Sequence, residues 1–302
     1  MQTFQNTAFI YHPGTLGDVL LSLPAINKIK EIDKVAIHLC CKSTIGNLLM
    51  DLSVVEDTSD IDSSFYCPLF TDSHWRLKGF LSGFKKIYCF TRDISSMSLT
   101  NIKKLRKDLE IVNTIPNEKI HVSHFRYRQI ERTEPFIPMR LKIEDRFLEG
   151  ARRLIKIVSK RFIVIHPGSG SKAKNMPLEV FFNISDFLIN KIQIGVLFIT
   201  GEAEDNTMLS NIDRYVETKG LMSQHLSGLS LITVSSMISI ADLYIGNDSG
   251  ITHLAGLINK GIVVFFKESD PLVWSPIGDN VLLVYREVRY DDIFGFVSQC
   301  IK

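Results

Sequence analysis

The 302-residue sequence contains no long apolar run: its most hydrophobic stretches, IGVLFIT and GIVVFF, end after about seven residues, far short of the roughly 20 that cross a bilayer as a helix. They read as buried strands, and no membrane-spanning helix is expected. The opening MQTFQNTAFIYHPG lacks the basic, then apolar, then small-residue order of a secretory signal, so the expected location is the cytoplasm. The five cysteines, Cys40, Cys41, Cys67, Cys89 and Cys300, form no CxxC pair and no Cys/His set with zinc spacing. Their odd number argues against a disulfide framework and for reduced thiols. No repeat of 20–50 residues and no low-complexity segment is found, which sets aside solenoids and linker tails. Also missing are GxGxxG, GxxxxGK[ST], HExxH, the GxSxG elbow and any DxD clearly placed to hold a metal. No P-loop hydrolysis, metalloprotease chemistry or metal ion is expected from these residues.

What is present is the balance of a globular protein, with 45% hydrophobic and 23% charged residues. The length suits one large α/β unit or two Rossmann-like halves, and two halves is the expectation. The net charge of +2 conceals two basic stretches. From Lys119 to Arg161 there are 12 Lys/Arg against 5 Asp/Glu, and from Arg76 to Glu110 there are 9 against 3. Such stretches are either solvated helix faces or a surface that attracts phosphates, nucleic acid or an anionic membrane face.

Strand-like and helix-like segments alternate along the chain. TAFIYH reads as a strand, GTLG as a turn and Asp18–Ile32 as a helix, with Pro24 tolerable only near its first turns. VAIHLCC and KKIYCF read as later strands, and Arg140–Lys160 as a helical stretch leading into the second half. RFIVIHPGSGS restarts the strand-then-glycine-turn pattern. A helix over Leu178–Ile189, the strand IGVLFIT, the loop GEAED, the helix SLITVSSMISIA, the strand DLYIGND, the helix SGITHLAGLI and the strand GIVVFF follow. This order predicts parallel sheets joined by helices.

Three segments carry candidate chemistry. In GTLGD, Gly14, Thr15 and Gly17 form a strand-to-helix turn that presents backbone N–H groups and the positive end of a helix dipole to an anion. Asp18 there is either a helix cap or a functional carboxylate. In HPGSGSKAKNMP, small residues permit close backbone approach, and Lys172 and Lys174 are within reach of a phosphate. His166 by itself is more simply a packed histidine. In IGNDSGITHLAG, an acid closes a buried strand and a helix opens immediately after it, the arrangement at which α/β sheets bind ligands. Asp248 and Ser249 are equally candidates for capping that helix. His253 lies one turn beyond Ser249, yet no ordered Asp partner suggests a Ser–His hydrolase.

Taken in order, these segments resemble glycosyltransferase family nine, the ADP-heptose:lipopolysaccharide heptosyltransferases. GTLGDVLLSLPAINKIK is similar to the family's GDxxLxxPxxxxLK opening, IHPGSGSKAKNMP to its HPG(S/A)…K.WP segment and ITGEAED to its GGxxE turn. LSGLSLITVSSMISIADLYIGNDSGITHLAG matches its sugar-nucleotide loop, and FFKESDPLVWSPIG its closing element. The resemblance runs from residue 8 to about residue 280, while residues from about 50 to 150 match no motif of the family. Met176 stands where the family usually has Trp, and His12-Pro13 replaces the common Arg-Leu.

The resemblance implies a GT-B fold: two Rossmann-like, doubly wound parallel-sheet domains facing a central cleft. Residues 1–155 would bind the acceptor and 156–302 the sugar nucleotide, with the last helix able to pack back on the first domain. It implies metal-independent, inverting transfer of a heptose or related sugar from an ADP-sugar to a lipopolysaccharide or lipooligosaccharide core acceptor, with no cofactor. Asp18 would be the general base. Ser169, Gly170 and Lys174 would hold the diphosphate, Glu204 the ribose, and Asp248, Ser249, Gly250 and His253 the diphosphate and sugar. The implied partners are the ADP-sugar, a lipid A/core oligosaccharide acceptor and, peripherally, the anionic inner leaflet of the cytoplasmic membrane; nucleic acid is not among them. A GT-B sugar-nucleotide epimerase and a non-catalytic sugar-nucleotide-binding module are the alternative readings.

Overall fold

Chains that alternate short apolar runs with amphipathic helices stack those runs as parallel strands, because each right-handed crossover returns the chain to the same end of the sheet. The structure, a computed structural model, describes residue 4, residues 6–258 and residues 260–301. It divides into one unit ending at Met139 and another beginning at Arg140.

The first unit is a five-stranded parallel sheet of β1 (Thr7–Tyr11), β2 (Ala36–Cys41), β3 (Asp57–Asp60), β4 (Lys86–Thr91) and β5 (Glu110–Asn113), in the order β3-β2-β1-β4-β5. β1 is central, with Phe9 paired to His38 of β2 and Ile10 to Tyr88 of β4. Its residues Ala8 to Tyr11 are buried on both faces, as a strand covered by helices on each side requires. The edge strands are the wholly polar DTSD and EIVN, whose apolar part is only Ile111-Val112, and at four residues each they are too short to show as strands in the sequence.

Helix Leu16–Asp33 follows β1 and runs straight through Pro24, its ninth residue. The expectation that this proline belonged near the first turns is corrected. A mid-helix proline withdraws one N–H and pushes preceding carbonyls out of line. The carbonyl that loses its helical donor is that of Leu20, four residues back; beside it the Leu21 carbonyl accepts from Ser123 Oγ at 2.7 Å, on the packed helix Val122–Ile130.

The second unit is a six-stranded parallel sheet, ordered β11-β10-β9-β6-β7-β8. Its strands are β6 (Phe162–His166), β7 (Gly195–Thr200), β8 (Ser223–Ser227), β9 (Leu243–Asn247), β10 (Gly261–Phe266) and β11 (Val281–Tyr285). Alternate side chains of β6, β7, β9 and β10 feed two separate cores, one on each face of the sheet.

The division between units precedes the expected one after residue 155. Only Asp145–Leu154 of the expected helix Arg140–Lys160 is helical, and its buried Ala151 joins Val234, Met237 and Ile238 in a core of the second unit. Ahead of it, the Leu141 N–H donates to the Leu257 carbonyl at 2.8 Å. The last helix, Tyr290–Cys300, buries Ile293 and Val297 in the other core of this unit.

Candidate active site

In a doubly wound sheet the loops at the carboxyl ends of the two strands where the winding reverses splay apart, and a ligand crevice forms between them. The reversal falls between β1 and β4 in the first unit and between β6 and β9 in the second. The GTLGD turn follows β1, HPGSGSKAK follows β6 and DSG follows β9. All three candidate segments therefore lie at switch points.

At the first, Thr15 precedes the helix and Asp18 occupies its first turn. Asp18 is not the N-cap. Its Oδ2 accepts from the Thr15 N–H at 3.1 Å and the Thr15 hydroxyl at 2.9 Å, the acidic half of a capping box. Gly14 is required sterically, since a Cβ there would lie 2.6 Å from the Asp18 Cβ and 2.8 Å from the His12 ring. Gly17 sits in the first helical turn.

Beneath the turn lies Arg126, wholly buried. Its Nη1 donates to the Asp18 carbonyl at 2.5 Å and to Ser22 Oγ at 2.9 Å. Nε and Nη2 donate to the Thr114 carbonyl, and Nη2 lies 3.4 Å from Asp18 Oδ1. Ser22 Oγ donates to the Asp18 carbonyl at 2.9 Å and also meets His12 Nε2 at 2.9 Å. The Gly14 N–H donates to His12 Nδ1 at 3.2 Å, so the His12 proton sits on Nε2 and every polar atom of the cluster is used.

Burial, followed by the Arg126 charge, pushes His12 down to about 3, and it is neutral. Burial pulls the Arg126 guanidinium down to about 10 against the opposing pull of Asp18, which leaves it charged. Burial would raise the Asp18 carboxyl, but Arg126 and the two Thr15 hydrogen bonds outweigh it and hold the group below the usual carboxylate range. The result is an ionised carboxylate, 30% exposed, on the wall of a crevice of about 180 Å³ lined by His12–Thr15, Phe90–Arg92, Thr114 and Ile115. A cavity of about 550 Å³ adjoins it and shares Pro13, Thr91 and Arg92.

At the second switch point the helix Gly250–Leu257 is capped by Ser249, whose Oγ accepts from the Thr252 N–H at 3.3 Å. Asp248 is thereby released from capping. Only 4% exposed, its Oδ2 accepts from Lys174 Nζ at 2.7 Å and from the Ser269 hydroxyl, and Oδ1 lies 3.7 Å from His253 Nε2. Lys174 ends a short turn of 3₁₀ helix, Lys172–Lys174, and is 37% exposed. Ser169 Oγ lies 2.6 Å from Asn175 Oδ1 and 2.7 Å from the Ser171 carbonyl, which folds the loop back on itself. Gly170 is exposed, with open space where a side chain would be. Lys172 is directed away, to Asp205 at 2.7 Å on the surface.

Glu204 stands apart from this group. Its side chain is 2% exposed, with Oε2 accepting from the Gly201 N–H at 2.6 Å. A Cβ on Gly168 would fall 1.7 Å from Oε1, so only glycine admits the carboxylate. Oε1 is also 3.8 Å from Nε2 of His166, whose Nδ1 has no hydrogen-bond partner among the described residues.

The site residues that sequence reasoning missed are Arg126, Ser22, Asn247 and Ser269. Asn247 is fully buried and ties the two loops together, donating to the Pro167 carbonyl at 2.6 Å and accepting from the Met176 N–H at 3.1 Å. Its position next to Asp248 was a usable signal. Arg126 offered none, lying 108 residues from Asp18 in a stretch read only as basic. Among the described residues no group of three or more His, Cys, Asp or Glu is placed to hold a metal ion.

A family model described as Glycosyltransferase family 9 (heptosyltransferase) matches residues 98–292. The span takes in Arg126 and the whole second switch point and leaves Asp18 outside. Lipopolysaccharide heptosyltransferase 3 of Escherichia coli (strain K12) is 26% identical over 126 residues, 41% of this chain and 36% of that relative, so the match spans little more than a third of the relative's length. Among solved structures, E. coli ADP-heptose lipopolysaccharide heptosyltransferase II has a TM-score of 0.81 at 13% identity, covering 98% of each chain. E. coli heptosyltransferase WaaC with ADP has a TM-score of 0.70 at 13% identity, covering 97% of this chain and 99% of that one. At such identities the likeness speaks for the fold.

Proposed function

The chain belongs to glycosyltransferase family 9, the heptosyltransferase family, and from that premise we propose that it transfers a heptose or related sugar from an ADP-sugar to a lipopolysaccharide or lipooligosaccharide core acceptor, with inversion. Its two parallel-sheet units are of the GT-B type. The observation that carries the reading is the opposite polarity of the two switch points: the first presents a carboxylate backed by a buried cation, the second a lysine backed by a buried carboxylate.

In this reading the acceptor hydroxyl enters the crevice beside Asp18, which accepts its proton. A carboxylate kept ionised is a weak base toward a free hydroxyl. It becomes sufficient once the oxygen begins to bond the anomeric carbon and the hydroxyl acidifies. The departing ADP gathers negative charge, which Lys174 and the N–H groups opening the helix Gly250–Leu257 offset without a metal. Asp248, itself an anion, serves this best by orienting Lys174 and by accepting from a sugar hydroxyl. Ser169 and Gly170 shape the loop that approaches the phosphates, and His253 stands beside them. Glu204 takes the ribose hydroxyls after turning out from Gly168. The acceptor is a lipid, and the enzyme works on the cytoplasmic side of the membrane, attached peripherally. No helix among the described residues is long and apolar enough to cross it.

The test is to incubate the protein with ADP-heptose, other ADP- and UDP-sugars and truncated core acceptors, following ADP release and product mass. Acceptor-dependent release with a heptose-sized mass gain, abolished in Asp18→Ala, is the expected result. Donor binding without turnover on any acceptor would overturn the reading and leave a binding module.

A further inference from the structure

The segment between β3 and β4 buries only part of its apolar content. It folds as two short 3₁₀ turns, Ser64–Phe70 and His74–Leu77, followed by a single helical turn, Lys78–Ser82, and leaves Phe65, Phe70 and Trp75 exposed by 48%, 52% and 63%. The loop after β4 leaves Ile94 and Met97 exposed by 61% and 59%. The two segments form one surface. Asn101, on the helix Met97–Leu105, donates to the carbonyls of Leu69 at 3.0 Å and Thr71 at 3.2 Å, and Phe70 and Ser96 line the same 550 Å³ cavity.

Isolated exposed apolar side chains are ordinary, but five large ones on adjoining segments mark a surface that meets something. The same segments carry cations. Arg76 lies over the Trp75 ring, 5.7 Å from its centroid. Lys78 follows in the chain, Arg92 lines the cavity, and Lys103 is exposed on the same helix as Met97. None of these four is in an ion pair among the described residues. The acids nearby are Asp62, Asp72 and Asp93, and Asp93 Oδ1 is taken up by the N–H and hydroxyl of Ser95.

We propose that this face of the first unit docks on an anionic lipid bilayer. Trp75, Phe65 and Met97 enter the headgroup layer while Arg76, Lys78 and Lys103 meet lipid phosphates, the division of labour of an interfacial anchor. A second copy of the chain is the poorer occupant, because a twofold contact sets a patch against itself and would bring these cations together. The inference deepens the proposed function and rests on it only for the idea that the acceptor is a lipid.

The experiment uses the full chain with vesicles of phosphatidylethanolamine and phosphatidylglycerol, compared with phosphatidylcholine, in a flotation assay at low salt. The expected results are binding to the anionic vesicles only, a blue shift of tryptophan emission that is absent in Trp75→Phe, and partition about tenfold weaker in Trp75→Ser/Met97→Ser and in Arg76→Glu/Lys78→Glu. All four positions are at the surface, and unchanged circular dichroism confirms that each variant is folded. Variants that float like the parent overturn the proposal. So does a parent that ignores the vesicles and forms a dimer that Trp75→Ser/Met97→Ser dissolves. Turnover on a soluble, deacylated acceptor separates the two ideas: its absence in a vesicle-binding parent refutes the transferase reading alone, and its persistence in non-floating variants confirms that only docking was lost.

Discussion

The deepest charge at the first switch point is a cation, Arg126, fully buried, with the carboxylate of Asp18 above it at 30% exposure. At the second the deepest charge is an anion, Asp248 at 4% exposure, with Lys174 above it at 37%. Two units with the same winding thus carry the same kind of ion pair upside down. Burying one charge and exposing its partner fixes the sign that a ligand meets, because the buried member is held by several hydrogen bonds and cannot turn outward. Removing the exposed member should therefore cost function, and removing the buried member should cost stability as well.

The largest effect is expected for Asp18→Asn. If the first switch point supplies the base, kcat falls by about 10²–10⁴-fold with donor affinity unchanged; steady-state kinetics and donor titration would check this, and unaltered kcat would break the comparison. Next is Arg126→Met, which strips the Thr114 carbonyl of both guanidinium donors and leaves the Asp18 carbonyl with Ser22 Oγ but without the guanidinium. An unfolding free energy lower by about 3–5 kcal/mol is expected from urea denaturation, and the acid limb of kcat/KM should move to higher pH as Asp18 loses the cation that keeps it ionised. Lys174→Met should weaken ADP-sugar binding by about 10–100-fold while leaving Asp18 chemistry intact, read as a rise in Kd by calorimetry. A loss in kcat alone would show that Lys174 acts only on the leaving group.

The smallest effect concerns His12. Its folded-state value, about 3, lies below that of an unfolded histidine, so its contribution to stability is full above about pH 6.5 and is lost as the pH falls from there toward 3. The slope this one group contributes is about 1.4 kcal/mol per pH unit. Urea titrations at several pH values should find it reduced by that amount in His12→Gln, and an unchanged slope would place the proton elsewhere.

Met176 and His12, the two departures from the family pattern, differ in what the structure makes of them. Met176 packs against a core of the second unit and gives its N–H to Asn247, a contact any side chain allows. His12 is engaged on both ring nitrogens and stacks 5.1 Å from the Phe90 ring, so it is built into the turn that holds Asp18.

Strand, glycine turn and helix start were legible around both switch points because each motif is local: consecutive residues set the period, the turn and the cap. From that, the sequence by itself determined the alternating α/β class, the two halves and the positions of Asp18, Lys174, Asp248 and Ser249 at the loop ends of strands. The edge strands β3 and β5 were not legible, since DTSD and EIVN carry no apolar run beyond Ile111-Val112 and owe their form to the backbone of a neighbouring strand. The division between Met139 and Arg140 was hidden for a similar reason: helix Asp145–Leu154 is assigned to a unit by what Ala151 touches. Only the tertiary structure decided which acid caps a helix and which is released, and that a cation from residue 126 lies under a carboxylate at residue 18. The partners of a buried charge are chosen by proximity in space, which folding creates and sequence order does not record.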